Sequence, residues 1–152
     1  MGKPVNHDAY SDDYLRDILR SVRTIALVGA SERLSRPSHY VMAFLQSKGY
    51  RVIPVNPRAT APEIHGEKVY PSLAEIPVAI DMVDVFRRSE ETPAVVDEAI
   101  AKRAKVVWMQ LGVHNDAAAA KAEQAGLKVV MNHCPKIEYL RLCGAPTQRS
   151  VG

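Results

Sequence analysis

TIALVGASERLSRPSHYVMAFLQSKGYRVIPVNP, residues 24–57, contains the pattern that decides the fold. Thr24–Val28 is apolar and rich in β-branched residues, as expected of a strand that is buried on both faces of a parallel sheet. Pro37 suits the first position of a helix and Gly49 suits its end, so a helix is predicted between them. Arg51–Val55 then predicts a second strand. This order indicates two parallel strands joined by a helical crossover.

The same alternation of strand and helix continues along the chain. Apolar runs predict three more strands, and each is followed by a helical pattern. Parallel strands need helical crossovers, which cover both faces of the sheet. We therefore predict an α/β protein, a Rossmann-like three-layer α/β/α fold with a mainly parallel sheet of about five strands. The three further strands are Ile80–Phe86, Lys105–Leu111 and Leu127–Met131, and their helices lie near residues 95–100, near 115–124 and from Pro135.

The remaining segments are less regular. An amphipathic pattern predicts an edge or lid helix over residues 12–23. The crossover at 58–77 is rich in Pro and Gly, and within it we expect a minor strand at Lys68–Tyr70 and one helical turn at Ser72–Glu75. The tail at 144–152 is expected to fray.

Composition limits the class of protein. With 152 residues, 47% hydrophobic and 24% charged, the chain is expected to form one domain, residues 1–152. It has no apolar stretch of the ~20 residues that a membrane span needs and no signal-peptide core, so we expect a cytoplasmic protein without a membrane partner. The net charge of +3 is scattered, which gives no support for nucleic-acid binding. The histidines and the two cysteines lack metal-ligand spacing.

Ligands of open parallel sheets bind beyond the carboxyl ends of the strands, where the strand order reverses. After the first strand come Gly29, Ala30 and Ser31, and Arg36, Pro37 and Ser38 open the next helix. Small residues, backbone N–H groups and a helix N-terminus favour a diphosphate. The alternative is a tight strand–helix turn without a ligand.

The second strand ends in Asn56, Pro57 and Arg58, where NAD-binding domains usually place an acidic residue. An arginine at this corner favours a nucleotide with an extra phosphate on its ribose. The candidates are NADP and coenzyme A (CoA). Arg58 is alternatively a solvated loop cation.

Three further strand ends lie on the same rim. Phe86 and Arg87 lie at the end of the third strand, Gln110 lies near the end of the fourth, and Asn132 follows the fifth. Phe86 is predicted to flank the ligand and Arg87 to meet phosphate; the alternative is a core phenylalanine beside a surface arginine.

These motifs together resemble a known family, the stand-alone CoA-binding domain proteins, which are related to the CoA-binding domains of succinyl-CoA synthetase and ADP-forming acyl-CoA synthetases. The resemblance covers about Tyr10 to Leu142. The residues that carry it are Ala26-Leu-Val-Gly-Ala-Ser31, Pro37-Ser38, Gly49-Tyr50, Val52-Ile-Pro-Val-Asn-Pro57, Gly66, Val69-Tyr-Pro-Ser-Leu73, Asp84-Val-Phe-Arg87, Trp108-Met-Gln-Leu-Gly112 and Met131-Asn-His-Cys-Pro135.

The resemblance implies a CoA or acyl-CoA site with the diphosphate at Gly29–Ser31 and Ser38, the 3′-phosphate near Asn56–Arg58, and Phe86, Arg87 and Gln110 along the cleft. The chain lacks the further domains of a complete synthetase, so we expect a non-catalytic sensor or accessory module that acts alone or with a protein partner. The alternatives are an NADP-dependent oxidoreductase subunit and a regulatory domain without a ligand. Cys134 lies on the same rim, where a mixed disulfide with CoA is a hypothesis and an inert buried thiol is the alternative.

Overall fold

A computed structural model describes residues 5–144, and its helices and strands alternate along the chain. The helices of this part are α1 (Asp12–Ser21), α2 (Pro37–Ser47), α3 (Thr92–Ala101), α4 (Asp116–Gln124) and α5 (Pro135–Tyr139). The strands are β1 (Thr24–Val28), β2 (Arg51–Val55), β3 (Glu63–Ile64), β4 (Glu67–Lys68), β5 (Met82–Val85), β6 (Val106–Met109) and β7 (Lys128–Val130). Short 3₁₀ turns lie at Leu73–Glu75 and Ser89–Glu91, and a π-helical turn at Leu140–Gly144 follows α5.

Five strands form one parallel sheet in the order β2-β1-β5-β6-β7. The chain moves outward from β1 to β2, returns across the sheet to β5, and then continues in the opposite direction. The strand order therefore reverses between β1 and β5. Strands β3 and β4 form a separate antiparallel hairpin.

Each face of the sheet buries its own apolar core. One core contains apolar side chains of α1 and α2, and the other contains those of α3 and α4. Alternate residues of β5 enter alternate cores, with Met82 in the first and Val83 in the second, because successive strand residues point to opposite faces. The predicted three-layer, Rossmann-like α/β/α fold is confirmed.

Tyrosines from the N-terminal segment cover the outer edge of β7. The Tyr14 hydroxyl donates to the carbonyl of Val129 at 2.8 Å and accepts from the Val129 N–H at 3.1 Å. The Tyr10 hydroxyl accepts from the Met131 N–H at 2.8 Å. Burial raises the pKa of both phenols to about 12. Side chains thus satisfy backbone groups that another strand would otherwise satisfy.

Most differences from the sequence-based boundaries lie at element ends. The N-terminal helix ends at Ser21 and not at 23, because the backbone of its C-cap, Val22, is extended. The later strands are shorter than predicted, because each strand extends only as far as its residues pair with a neighbouring strand. Leu73–Glu75 forms the expected turn, but Ser72 does not cap it with its side chain, and the Leu73 N–H donates to Glu98 instead. Of the predicted frayed tail, 145–152 lie outside the described residues.

Candidate functional site

The sheet reverses at a close approach between the ends of β1 and β5. Gly29 follows β1 with φ +92°, and a Cβ atom added there would overlap the backbone carbonyl oxygen of Phe86. The Phe86 N–H in turn donates to the Val28 carbonyl at 2.8 Å. Only glycine fits this position, because a side chain would force the two strand ends apart.

The first two amides of the predicted diphosphate turn already have partners. The N–H groups of Gly29 and Ala30 both donate to the Val55 carbonyl, at 2.9 and 3.3 Å. The β1–β2 ladder extends past the strand ends and uses these donors. The polar groups that remain for an anion are those of Ser31 and Ser38, because Pro37 has no N–H and the His39 N–H donates to the Arg36 carbonyl at 3.0 Å.

A polar cleft lies directly above this turn, with a volume of about 280 Å³. Arg33 and Arg36 lie on its wall, and neither forms an ion pair with a described acidic residue. Ser38 is 4% exposed and lies in the first turn of α2, where the helix dipole favours negative charge. The cleft is therefore electropositive. Its lining residues are Gly29, Ala30, Ser31, Arg33, Arg36, Pro37, Ser38, Asn56 and Phe86.

A corner cleft of about 210 Å³ opens beside the polar cleft and contains Arg58. The loop that bears Arg58 is fastened by Asn56, whose Nδ2 donates to the Ala30 carbonyl at 2.7 Å and whose Oδ1 accepts from the Arg58 N–H at 2.8 Å. Arg58 is exposed and forms no ion pair with the described acidic residues. The corner cleft and the polar cleft share Ser31, Arg33 and Asn56.

The carboxylate of Glu32, in the loop after β1, lies at this corner. From the sequence, an acidic residue was considered only after the second strand. Glu32 accepts hydrogen bonds from the N–H groups of Thr60 and Ala61, both at 3.2 Å, and from the Thr60 hydroxyl. The Thr60 hydroxyl is the main reason that the pKa of the Glu32 carboxyl lies below its ordinary value. Glu32 is thus engaged in holding the far end of the Arg58 loop.

An apolar cleft of about 330 Å³ continues from the other end of the polar cleft, with which it shares Pro37 and Phe86. Tyr40, Leu111 and Ile137 line it and are 48%, 55% and 49% exposed, so three of the large exposed apolar side chains gather at one place. Such a gathering is typical of a binding surface. The other lining residues are Val41, Gln110, Cys134 and Lys136.

Gln110 carries an unsatisfied atom in the wall of the apolar cleft. The residue is 6% exposed, and its Oε1 has no hydrogen-bond partner in the described part of the chain. Buried carbonyl oxygens are normally paired, so this atom indicates a missing donor. A ligand that brings an N–H group into the cleft would satisfy it.

A second unsatisfied group lies in the sheet beneath the site. Asp84 in β5 is fully buried, and neither carboxylate oxygen has a partner within residues 5–144. Burial raises the pKa of Asp84 well above its ordinary value, which favours the neutral carboxylic acid. Asp84 precedes Phe86 by two residues, so both side chains leave the same face of the sheet.

The structure brings together ten of the thirteen predicted site residues. Those that line the three clefts are Gly29, Ala30, Ser31, Arg36, Pro37, Ser38, Asn56, Arg58, Phe86 and Gln110. Pro57, Arg87 and Asn132 are not among the lining residues. Arg87 forms an ion pair with Glu91 at 3.5 Å, and the Asn132 side chain accepts from the Gly112 N–H at 2.7 Å.

Sequence reasoning missed several lining residues. Arg33 lies one position beyond the Gly29–Glu32 turn and is not among the residues predicted for the site. Tyr40 has the same helical spacing as the core residues Val41 and Leu45, but those two are buried, whereas Tyr40 is exposed and lines the cleft. Lys136 and Ile137 belong to α5, whose position against α2 depends on tertiary packing. A pair of neighbouring apolar residues at the start of a helix, such as Tyr40-Val41, was the available signal.

A sequence profile described as CoA binding domain matches residues 23–140, most of the chain. The chain belongs to the CoA-binding domain family. The resemblance that the motifs indicated is confirmed. Within the described residues, this CoA-binding domain has no helix of the length and hydropathy that crossing a membrane requires.

Relatives of this CoA-binding domain include small proteins and parts of larger ligases. It is 42% identical over 125 residues to the uncharacterized protein YneT of Bacillus subtilis, covering 82% of this chain and 91% of the relative. It is 33% identical over 95 residues to the alpha subunit of ADP-forming acetate–CoA ligase I of Pyrococcus furiosus, covering 60% of this chain and 21% of that subunit. The chain thus matches about one fifth of the ligase subunit.

Solved structures show the same fold in proteins of similar size. A hypothetical protein from Pyrococcus horikoshii superposes with a TM-score of 0.86 at 42% identity, covering 95% of this chain and 100% of the other. The protein ID.343 of Thermus thermophilus superposes with a TM-score of 0.82 at 38% identity, covering 87% and 98%. Both likenesses extend over nearly the whole CoA-binding domain.

Proposed function

We propose that this chain binds coenzyme A or an acyl-CoA along the groove formed by the corner, polar and apolar clefts. The observation that carries the proposal is the order of chemistry along the groove. Arginines and hydroxyl groups line one end, and exposed apolar side chains line the other. CoA has the same order, because its phosphorylated adenosine and diphosphate lead into the long pantetheine arm.

The charged end of CoA fits the electropositive half of the groove. The diphosphate would lie against Ser31 and the first turn of α2, where Arg33 and Arg36 supply positive charge. Arg58 would meet the 3′-phosphate in the corner cleft, since a guanidinium group pairs well with phosphate oxygens. Arg33, Arg36 and Arg58 form no ion pair with an acidic residue in the described part of the chain, which supports their role in binding phosphate.

The pantetheine arm fits the apolar half. Tyr40 and Ile137 would contact its methylene and methyl groups. Burial of apolar surface on both the protein and the arm would favour binding. The unpaired Oε1 of Gln110 would accept from one of the two amide N–H groups of the arm. The residues in this cleft therefore fit the chemistry of the arm.

Binding without catalysis is the proposed activity. The matched part of the ligase subunit is about a fifth of its length, so the ligase reaction is not transferred to this chain. We infer a sensor or accessory module, with no catalytic residue and no metal assigned. The two cysteines are free thiols, which agrees with the proposed cytoplasmic location.

Calorimetric titration with CoA, dephospho-CoA, NADP and NAD tests the function. We expect CoA to bind, dephospho-CoA to bind at least tenfold more weakly, and NAD not to bind. Binding of NADP alone would favour an oxidoreductase subunit. Failure of all four would favour a regulatory domain that has kept the fold without the ligand.

A further inference from the structure

The apolar cleft contains a thiol to which CoA binding itself assigns no role. Cys134 lies directly before α5, is 5% exposed and lines the cleft beside Gln110 and Lys136. The second cysteine, Cys143, lines a separate cavity with Tyr50 and Tyr139 near the other end of α5. The chain therefore has one thiol on the proposed ligand groove and one away from it.

A second observation indicates that a ligand reaches this part of the cleft. Gln110 lines the same cleft, is more than nine-tenths buried, and has an unpaired carbonyl oxygen. A buried carbonyl oxygen is unfavourable until a donor reaches it. The amide of pantetheine closest to the thiol is a donor of the right kind. If that amide pairs with Gln110, the sulfur at the end of the arm would lie in the cleft that Cys134 also lines.

We propose that Cys134 forms a reversible mixed disulfide with the thiol of coenzyme A; this inference rests on the proposed function. The oxidant is CoA disulfide. The Cys134 thiol loses its proton, and the thiolate attacks the near sulfur of the bound CoA disulfide. The protein–CoA disulfide bond forms as the original disulfide bond breaks. The departing CoA thiolate takes up a proton, so one CoA stays attached and one leaves as the free thiol.

The shape of the apolar cleft suits this exchange. Tyr40, Leu111 and Ile137 are about half exposed, so the cleft is open on the side where these residues lie. One half of CoA disulfide can occupy the groove while the other half extends into solvent. Binding then raises the effective concentration of the disulfide at Cys134, which a small disulfide without the nucleotide cannot achieve.

The experiment compares CoA disulfide with glutathione disulfide on the native chain. After incubation with each, intact mass and peptide mapping identify the modified cysteine, and a reductant is then added. We expect a CoA adduct on Cys134 that forms at least tenfold faster than the glutathione adduct. The reductant should remove it, and excess desulfo-CoA, which lacks the thiol, should slow its formation. Equal rates with both disulfides, or modification of Cys143 instead, would overturn the proposal.

Two variants and one binding measurement complete the test. Cys134→Ser should abolish the adduct, and the matched variant Cys143→Ser should keep it. Peptide mapping of the native chain gives the answer even if Cys134→Ser fails to fold. Calorimetry with desulfo-CoA tests the proposed function separately from the mixed disulfide. If desulfo-CoA binds and no adduct forms, the mixed disulfide is wrong and the proposed function stands; if desulfo-CoA does not bind, both are wrong.

Discussion

Arg58 is the residue on which the choice of nucleotide depends. Its loop is fastened at one end by Asn56 and at the other by Glu32, and its own side chain is exposed in the corner cleft. If it contacts the 3′-phosphate, Arg58→Ala should weaken CoA roughly tenfold or more, because a hydrogen bond to a charged group contributes about 1.5–3 kcal/mol. The affinity for dephospho-CoA should change little. Calorimetry with both ligands measures the two effects.

The matched control for Arg58 is Arg88→Ala. Arg88 is also an exposed arginine, but it pairs with Glu91 at 3.4 Å and lines none of the three clefts. Arg88→Ala should leave the affinities for CoA and for dephospho-CoA unchanged. Equal weakening of CoA and dephospho-CoA by Arg58→Ala would show that this guanidinium does not contact the 3′-phosphate.

Asp84 makes the stability of the fold depend on pH. Its folded pKa lies well above the ordinary 3.8, so above pH 4 the folded chain binds more protons than the unfolded chain. The stability associated with this group is therefore fully present below about pH 4 and decreases as pH rises toward the folded pKa, by up to about 1.4 kcal/mol per pH unit. Asp84→Asn cannot ionise, so its stability relative to the native chain should increase with pH.

Urea unfolding at several pH values between 5 and 8 measures this change. Asp17→Asn is the control, since Asp17 is an exposed residue of α1, and its profile should run parallel to that of the native chain. If the Asp84→Asn profile is parallel as well, Asp84 is ionised in the folded state.

At the level of elements, the approach of β1 to β5 depends on Gly29. Gly29→Ala should destabilise the fold, because the added methyl group meets the Phe86 backbone and the backbone is held at φ +92°. Gly126→Ala is a matched control: its φ is +93°, and an added Cβ there has no atom within 4 Å. Both variants carry the cost of a left-handed conformation, but only the first carries the collision, which overpacking data place at about 1–3 kcal/mol. Equal losses in denaturant unfolding would contradict the close approach.

The elements also show what the sequence could predict. Thr24–Val28, Arg51–Val55 and the helix from Pro37 have the predicted positions, because apolar runs, proline and glycine act locally. Ends of later strands depend on pairing with neighbours, and these were predicted too long. The strand-end residues of the site follow from topology, whereas Tyr40 and Ile137 enter the site through the packing of α2 beside α5. No local pattern encodes that packing.

For the whole molecule, ligand binding should raise the stability of the folded state. CoA at 100 times its dissociation constant adds about 2.7 kcal/mol to the free energy of unfolding. For a chain of 152 residues this corresponds to a rise in Tm of roughly 5–10 °C. Thermal unfolding followed by circular dichroism, with NAD at the same concentration as the control, measures it. An unchanged Tm with CoA would contradict the proposed function.

The hydroxyl groups of Tyr10 and Tyr14, which cover the outer edge at β7, affect where the boundary of this domain should be drawn. The sequence profile begins at residue 23, after Tyr10 and Tyr14, so a fragment covering only 23–140 would leave the backbone of β7 uncovered. Uncovered edge strands are templates for pairing with other chains. Such a fragment should self-associate as its concentration rises, whereas the native chain should not, and sedimentation of the two would distinguish them. We therefore expect Tyr10 and Tyr14 to protect the chain against aggregation, and the boundary of sequence similarity is not the boundary of the folding unit.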